Sequence, residues 1–152
     1  QRMIDYSNTN INWLRKHEHY NKNGTLLELE QGDATTFQWH SAPSVIACET
    51  YLGRPFSSEP DEETLQKVIH DCNTIHKKFL INVARQTTAG LPLCLAVPAW
   101  HVRNKIYHLP VLDDLKNLGY NRLDFTHASN EDLIYYREGQ IVGRELLVLI
   151  RR

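Results

Sequence analysis

Apolar residues along this chain fall into two rhythms, one helical and one extended. Leu65, Val68, Ile69, Cys72, Ile75, Phe79, Leu80, Val83 and Ala84 recur at spacings of three and four, which predicts a long amphipathic helix. Its start is marked by Ser58 as a candidate N-cap, Pro60 in the first turn, and Asp61 to Glu63 at the positive end of the dipole. Its end is expected near Thr88, with Gly90 as the residue that stops it. A weaker stripe, Met3, Ile4, Ile11 and Leu14 with Trp13 beside it, predicts a helix over residues 2–20, followed by the turn signal Asn23-Gly24. Short unbroken apolar runs, Val45 to Cys48 and Leu93 to Trp100 with Pro98 inside it, read as buried parallel strands. Thr25 to Leu29 and Arg122 to Thr126 read as further strands, Phe37 to Pro43 as a connector, and Pro110 to Leu118 as a short helix closed by Gly119. Leu133–Tyr136 and Ile141–Ile150 flank Glu138-Gly139, a hairpin turn signal, and predict an antiparallel pair whose last strand is mostly buried.

Strands that alternate with helices imply an α/β fold with a mostly parallel sheet, here closed by a carboxyl-terminal antiparallel hairpin. No internal repeat, low-complexity tract or boundary divides the chain, so residues 1–152 read as one domain. The length of 152 residues, with 41% hydrophobic and 23% charged residues, suits a globular chain with a real core.

Net charge is -1 and the pI about 6.8, so the chain lacks the electrostatic footprint of a stand-alone nucleic-acid binder. Any nucleic-acid contact would need a local patch or another domain. The three cysteines form no CxxC pair, which points away from a disulfide framework and a zinc site and toward a cytoplasmic setting. Eight histidines include no HExxH, so no metal is expected. No apolar run approaches the roughly 18 residues of a membrane span, and no secretory signal is visible. The chain begins at Gln1 directly in helix-like sequence, which suggests the carboxyl-terminal part of a longer protein.

Candidate chemistry gathers at Ser44 to Phe56. The strand there ends in Glu49, followed by Thr50, Tyr51, Leu52 and Gly53, and open α/β sheets bind ligands at the carboxyl ends of their strands. Gly53 and Pro55 keep the segment a shaped loop. Asp33, in Gln31-Gly32-Asp33-Ala34, stands in the same relation to the Thr25–Leu29 run. Arg54 is the best phosphate candidate, while Lys77-Lys78 and Arg151-Arg152 read as solvated charges. His70 and His76 are badly spaced for one helical face and read as surface or satisfied histidines; His101 and His108 follow a strand end, where they read first as plain polar loop residues and only second as groups that approach a substrate. Trp100 and Pro98 read as packing residues, with a wall of a substrate pocket as the alternative.

Together, Gly32-Asp33-Ala34, Glu49-Thr50-Tyr51-Leu52-Gly53 and the terminal hairpin with Gly143-Arg144-Glu145 resemble the class I S-adenosylmethionine-dependent methyltransferases. Within that class the chain looks like the predicted RNA methylases related to tRNA guanine-N2 methyltransferases, and the likeness covers nearly the whole chain. The resemblance implies a partial Rossmann-like sheet of the order 3-2-1-4-5-7-6, in which two strands and the glycine-rich cofactor loop precede Gln1. It implies that Asp33 bonds the cofactor's adenine amine, with the Ala34 N–H beside it and Glu49 nearby. It also implies that Glu49 and Tyr51 serve catalysis, with Thr50, Tyr51, Leu52, Gly53 and Arg54 holding the substrate. The family's acid-Pro-Pro-aromatic loop is altered here, Thr50 and Tyr51 standing where the prolines are. The chemistry expected is transfer of a methyl group to an exocyclic nucleobase amine, an acceptor such as Glu49 aiming the amine's lone pair. Guanine in tRNA is the substrate implied, reached through an upstream RNA-binding domain. The rivals are a DNA amino-methyltransferase and a non-catalytic binding module that keeps the fold. The sequence leaves the oligomeric state open.

Overall fold

The computed structural model describes residues 2–17 and 29–152, which belong to two compact units, Gln1–Asp33 and Ala34–Arg152. The first unit contains helix α1, Arg2–Lys16, tied by Arg2 Nε donating to Tyr6 Oη at 2.9 Å and by the Trp13 and His17 rings stacked with centroids 4.3 Å apart. The expected strand at Thr25–Leu29 falls, apart from its last residue, outside the described residues, as do the end of the first expected helix and the Asn23-Gly24 turn.

The second unit is a mixed sheet with a long helix on one face. Its elements are β1 (Ile46–Glu49), α2 (Glu62–Gln86), β2 (Pro92–Val102), β3 (Lys105–Tyr107), β4 (Tyr120–Arg122), β5 (Ile134–Tyr135) and β6 (Val142–Arg151). The expected hairpin forms: β5 pairs antiparallel with β6 across the Glu138-Gly139 turn. The expected mostly parallel sheet does not. Among the described residues only β1 and β2 pair in parallel, and β2–β3, β2–β6, β4–β6 and β5–β6 all pair antiparallel. The physical reason lies in the order β1-β2-β6-β4. Strands β1, β2 and β4 point the same way, but β6 runs against them and inserts between β2 and β4, so two potential parallel neighbours become two antiparallel pairs.

Several expected boundaries also shift. The N-cap of α2 is Asp61 rather than Ser58, its Oδ1 accepting from Thr64 N–H at 2.8 Å, a bond that also holds the Asp61 carboxyl below its ordinary range. The helix stops at Gln86 with Thr87 as C-cap, three residues before Gly90. Proline 110 begins a short 3-10 helix, Pro110–Asp114, rather than an α-helix to Leu118, and β4 ends at Arg122 instead of beginning there. Strand β2 runs straight through Pro98. His101 N–H bonds Ile141 O on the β6 side, so by alternation the donor missing at position 98 would point to the opposite side, where β1 has already ended.

The core lies between α2 and one sheet face. Leu65, Val68, Ile69, Phe79, Leu80 and Val83 of α2 meet Leu93, Leu95, Val97, Leu147 and Leu149 of the two central strands. Tyr120 is fully buried, and its hydroxyl donates to Leu80 O at 2.7 Å, joining β4 to the helix. Burial pushes that phenol up to about 12.

Candidate functional site

The carboxyl end of the parallel β1–β2 pair is where the loop 50–56 leaves the sheet. Thr50 anchors it: its N–H and its hydroxyl both reach Ala96 O, at 3.0 and 2.9 Å. The same hydroxyl lies 2.7 Å from His76 Nε2, and His76 Nδ1 lies 2.6 Å from Cys72 O one turn back along α2. With the ring proton on Nδ1 donated to the carbonyl, Nε2 takes the single Thr50 hydroxyl proton, and the Thr50 N–H serves the Ala96 carbonyl. His76 is thus a satisfied helix histidine, as its spacing suggested, but it is buried and holds the loop to the helix.

Burial pushes the His76 pKa below its ordinary value. The folded state therefore binds that proton more weakly than the unfolded chain. The stability this provides is intact above the unfolded value of about 6.5 and is lost as pH falls through the lower folded value. Urea titrations between pH 7.5 and 5.5 should show wild-type stability falling with acid more steeply than that of His76→Asn, by up to about 1.4 kcal/mol per pH unit. Equal slopes would remove His76 from this role.

Gly53 has φ of +84°, and a Cβ built there would sit 3.0 Å from Cys72 Sγ and 3.2 Å from Val68 Cγ1. Glycine is therefore required by both conformation and close approach to α2. The Cys72 thiol it packs against is pushed up to about 11 by burial, which keeps it an inert hydrophobe.

The loop separates two clefts. One, of about 310 Å³, is lined by Tyr51, Arg54, Lys67 and Asp71 among others. The other, of about 190 Å³, is lined by Leu52, Pro55, Gln140 and Arg144 among others. Tyr51 is 52% exposed, and the Arg54 guanidinium lies 5.7 Å over the Phe56 ring. The structure thus brings together Glu49, Thr50, Tyr51, Leu52, Gly53 and Arg54 at one strand end.

Glu49 itself is the last residue of β1 rather than the first beyond it. Its carboxylate is gripped by Arg144 of β6, Nε donating to Oε2 at 2.9 Å and Nη2 to Oε1 at 3.4 Å. The arginine's hydrogen bond holds this exposed carboxyl below the usual range.

Asp33 ends the first unit, and Ala34 opens the second. The Ala34 carbonyl accepts from Asn82 Nδ2 at 3.0 Å. Asn82 lies six residues beyond His76 on α2, a rise of about 9 Å.

A second constellation was not anticipated. Glu145 of β6 is 1% exposed; His108 Nδ1–H donates to its Oε2 at 2.6 Å and Arg122 Nη1 to its Oε1 at 2.9 Å. The His108 side chain is 44% exposed, and its Nδ1 is held by a buried carboxylate. This is the arrangement that sets a histidine tautomer, leaving Nε2 as an acceptor. The signal in the sequence is an acid inside an apolar strand, which demands partners; what those partners are is not local information. Trp100 is fully buried in the core and is a packing residue, as expected.

Among the described residues no helix is long and apolar enough to cross a membrane, and no group of three or more His, Cys, Asp or Glu is placed to hold a metal ion. The chain matches no known family model, no curated protein and no solved structure.

Proposed function

We propose that this chain is the target-base side of a class I, Rossmann-like methyltransferase domain acting on an exocyclic nucleobase amine, guanine in tRNA being the first candidate. The observation that carries this reading is the strand order. The order β1-β2-β6-β4, with β1 and β2 parallel and the third strand reversed, corresponds to the 4-5-7-6 half of the order 3-2-1-4-5-7-6. In that correspondence β1 is the strand that ends at the catalytic loop, and β1 does end in Glu49 with an exposed tyrosine two residues on. Tyr51 supplies a stacking platform, and Arg54 and Lys67 flank it in the same cleft.

One observation favours a second reading, a binding module that keeps the fold without catalysis: Arg144 occupies both oxygens of the residue that would orient the amine.

The two readings separate in a single-turnover assay of labelled methyl transfer to tRNA and to single-stranded DNA by the natural full-length protein. The first predicts transfer, reduced about 10²-fold by Glu49→Gln, about 3 kcal/mol in the transition state. Absence of transfer with retained RNA binding selects the second. Transfer to DNA alone identifies a DNA amino-methyltransferase.

A further inference from the structure

Two hairpins rise next to one another at the end of the sheet that carries His108. In the first, β2 turns into β3 through Arg103 and Asn104, both in the left-handed region at φ of 50° and 61°. Consecutive positive φ values make a tight turn of fixed shape, which holds Arg103 and Lys105 at its exposed tip. In the second, β5 turns into β6 through residues closed by Gln140 N–H donating to Arg137 O at 2.9 Å and Arg137 N–H donating to Gln140 Oε1 at 3.2 Å, so exposed Arg137 sits on an ordered turn. His101 N–H bonds Ile141 O at 2.8 Å and joins the two hairpins.

Between the turns lies an aromatic shelf. The His101 and Tyr136 rings stack with centroids 4.9 Å apart and planes 24° from parallel, and Tyr136 remains 41% exposed. Gly143 lets Tyr136 close in: a Cβ built there would meet Tyr136 Cβ at 3.2 Å. Two residues further on the same side of β6 stands Glu145, which holds His108. A stacked, half-exposed ring pair, three cations on two fixed turns and an imidazole with its outer nitrogen open to accept therefore occupy one end of the sheet. The acids nearby are Glu59, which accepts Arg103 N–H at 3.3 Å, and Glu138 beside Arg137.

We propose that this shelf binds single-stranded nucleic acid. A base stacks on the open side of Tyr136, the phosphates run between Arg103 with Lys105 and Arg137, and His108 Nε2 accepts an N–H from a base edge. Stacking on an aromatic face is tolerant of sequence, and the cations make the contact dependent on salt. The inference rests on the nucleic-acid reading above but needs no methyl transfer.

The test is fluorescence anisotropy of labelled eight-nucleotide oligo-U and oligo-dT on the natural full-length protein, at several salt concentrations. Tyr136→Ala is expected to weaken binding about tenfold or more. Arg137→Gln should reduce the slope of log affinity against log salt by about 0.7, one phosphate contact. Thermal melting of both variants at the wild-type temperature assigns these losses to the surface. Unchanged affinity in Tyr136→Ala overturns the proposal, and so does displacement of the oligonucleotide by polyglutamate as readily as by unlabelled oligonucleotide. Binding through Tyr136 without methyl transfer keeps this inference and removes the methyltransferase reading. Methyl transfer with oligonucleotide affinity indifferent to Tyr136 does the reverse.

Discussion

Glu145→Ala is expected to destabilise the fold by about 3–5 kcal/mol, because it leaves the Arg122 guanidinium inside the protein without its counter-charge. Glu145 is almost wholly buried, and Arg122 is itself mostly enclosed, with Nη2 lacking a partner among the described residues. His108, nearly half exposed, can be rehydrated when its carboxylate is removed; Arg122 cannot. The loss should therefore be smaller in the pair Glu145→Leu with Arg122→Met, which removes both charges and keeps apolar volume. Urea unfolding of the two single variants and the pair measures this as a double-mutant cycle. A Glu145→Ala loss under about 1 kcal/mol, or a pair that merely sums the singles, would mean that the carboxylate holds little.

Trp100→Ala is expected to cost about 3–5 kcal/mol, the range for deleting a large buried aromatic. Trp100 is fully buried in the core cluster, with Tyr107 and Val142 as its cross-strand neighbours. Its indole N–H has no acceptor among the described residues, so Trp100→Phe removes an unsatisfied donor and should cost clearly less than Trp100→Ala. If the indole instead walls a substrate pocket, Trp100→Ala lowers substrate affinity at nearly unchanged midpoint. The urea midpoint and the oligonucleotide dissociation constant, measured on one preparation, decide between the two.

These two residues also mark how far local pattern reaches. The long helix was legible because nine apolar residues at three- and four-residue spacing leave no other way to make one buried face. The antiparallel hairpin was legible because Glu138-Gly139 sits between two extended runs. Both features depend on residues close in sequence. The cap of α2 was less so, since Ser58, Pro60 and Asp61 all carry start signals; Asp61 wins because Thr64 N–H lies within its reach.

What local pattern could not announce is where β6 goes, although the order implied by the family resemblance already put the last strand between its two predecessors. Its apolar run suits a central strand of either direction, and only packing against α2 on one side of the sheet places it between β2 and β4. That single insertion turns an expected parallel sheet into a mostly antiparallel one. It also creates the long-range ion pairs of Glu49 and Glu145. Glu49 meets Arg144 across 95 positions of sequence, and His108 meets Glu145 across 37. Thr50 meets His76 because α2 folds back over β1. Residue types, periodicity and turn chemistry, which act over a few positions, were determined by the sequence alone. Partnerships between side chains were decided by the tertiary structure, because a hydrogen bond or ion pair depends on ångström-scale approach of groups whose separation along the chain carries no such information.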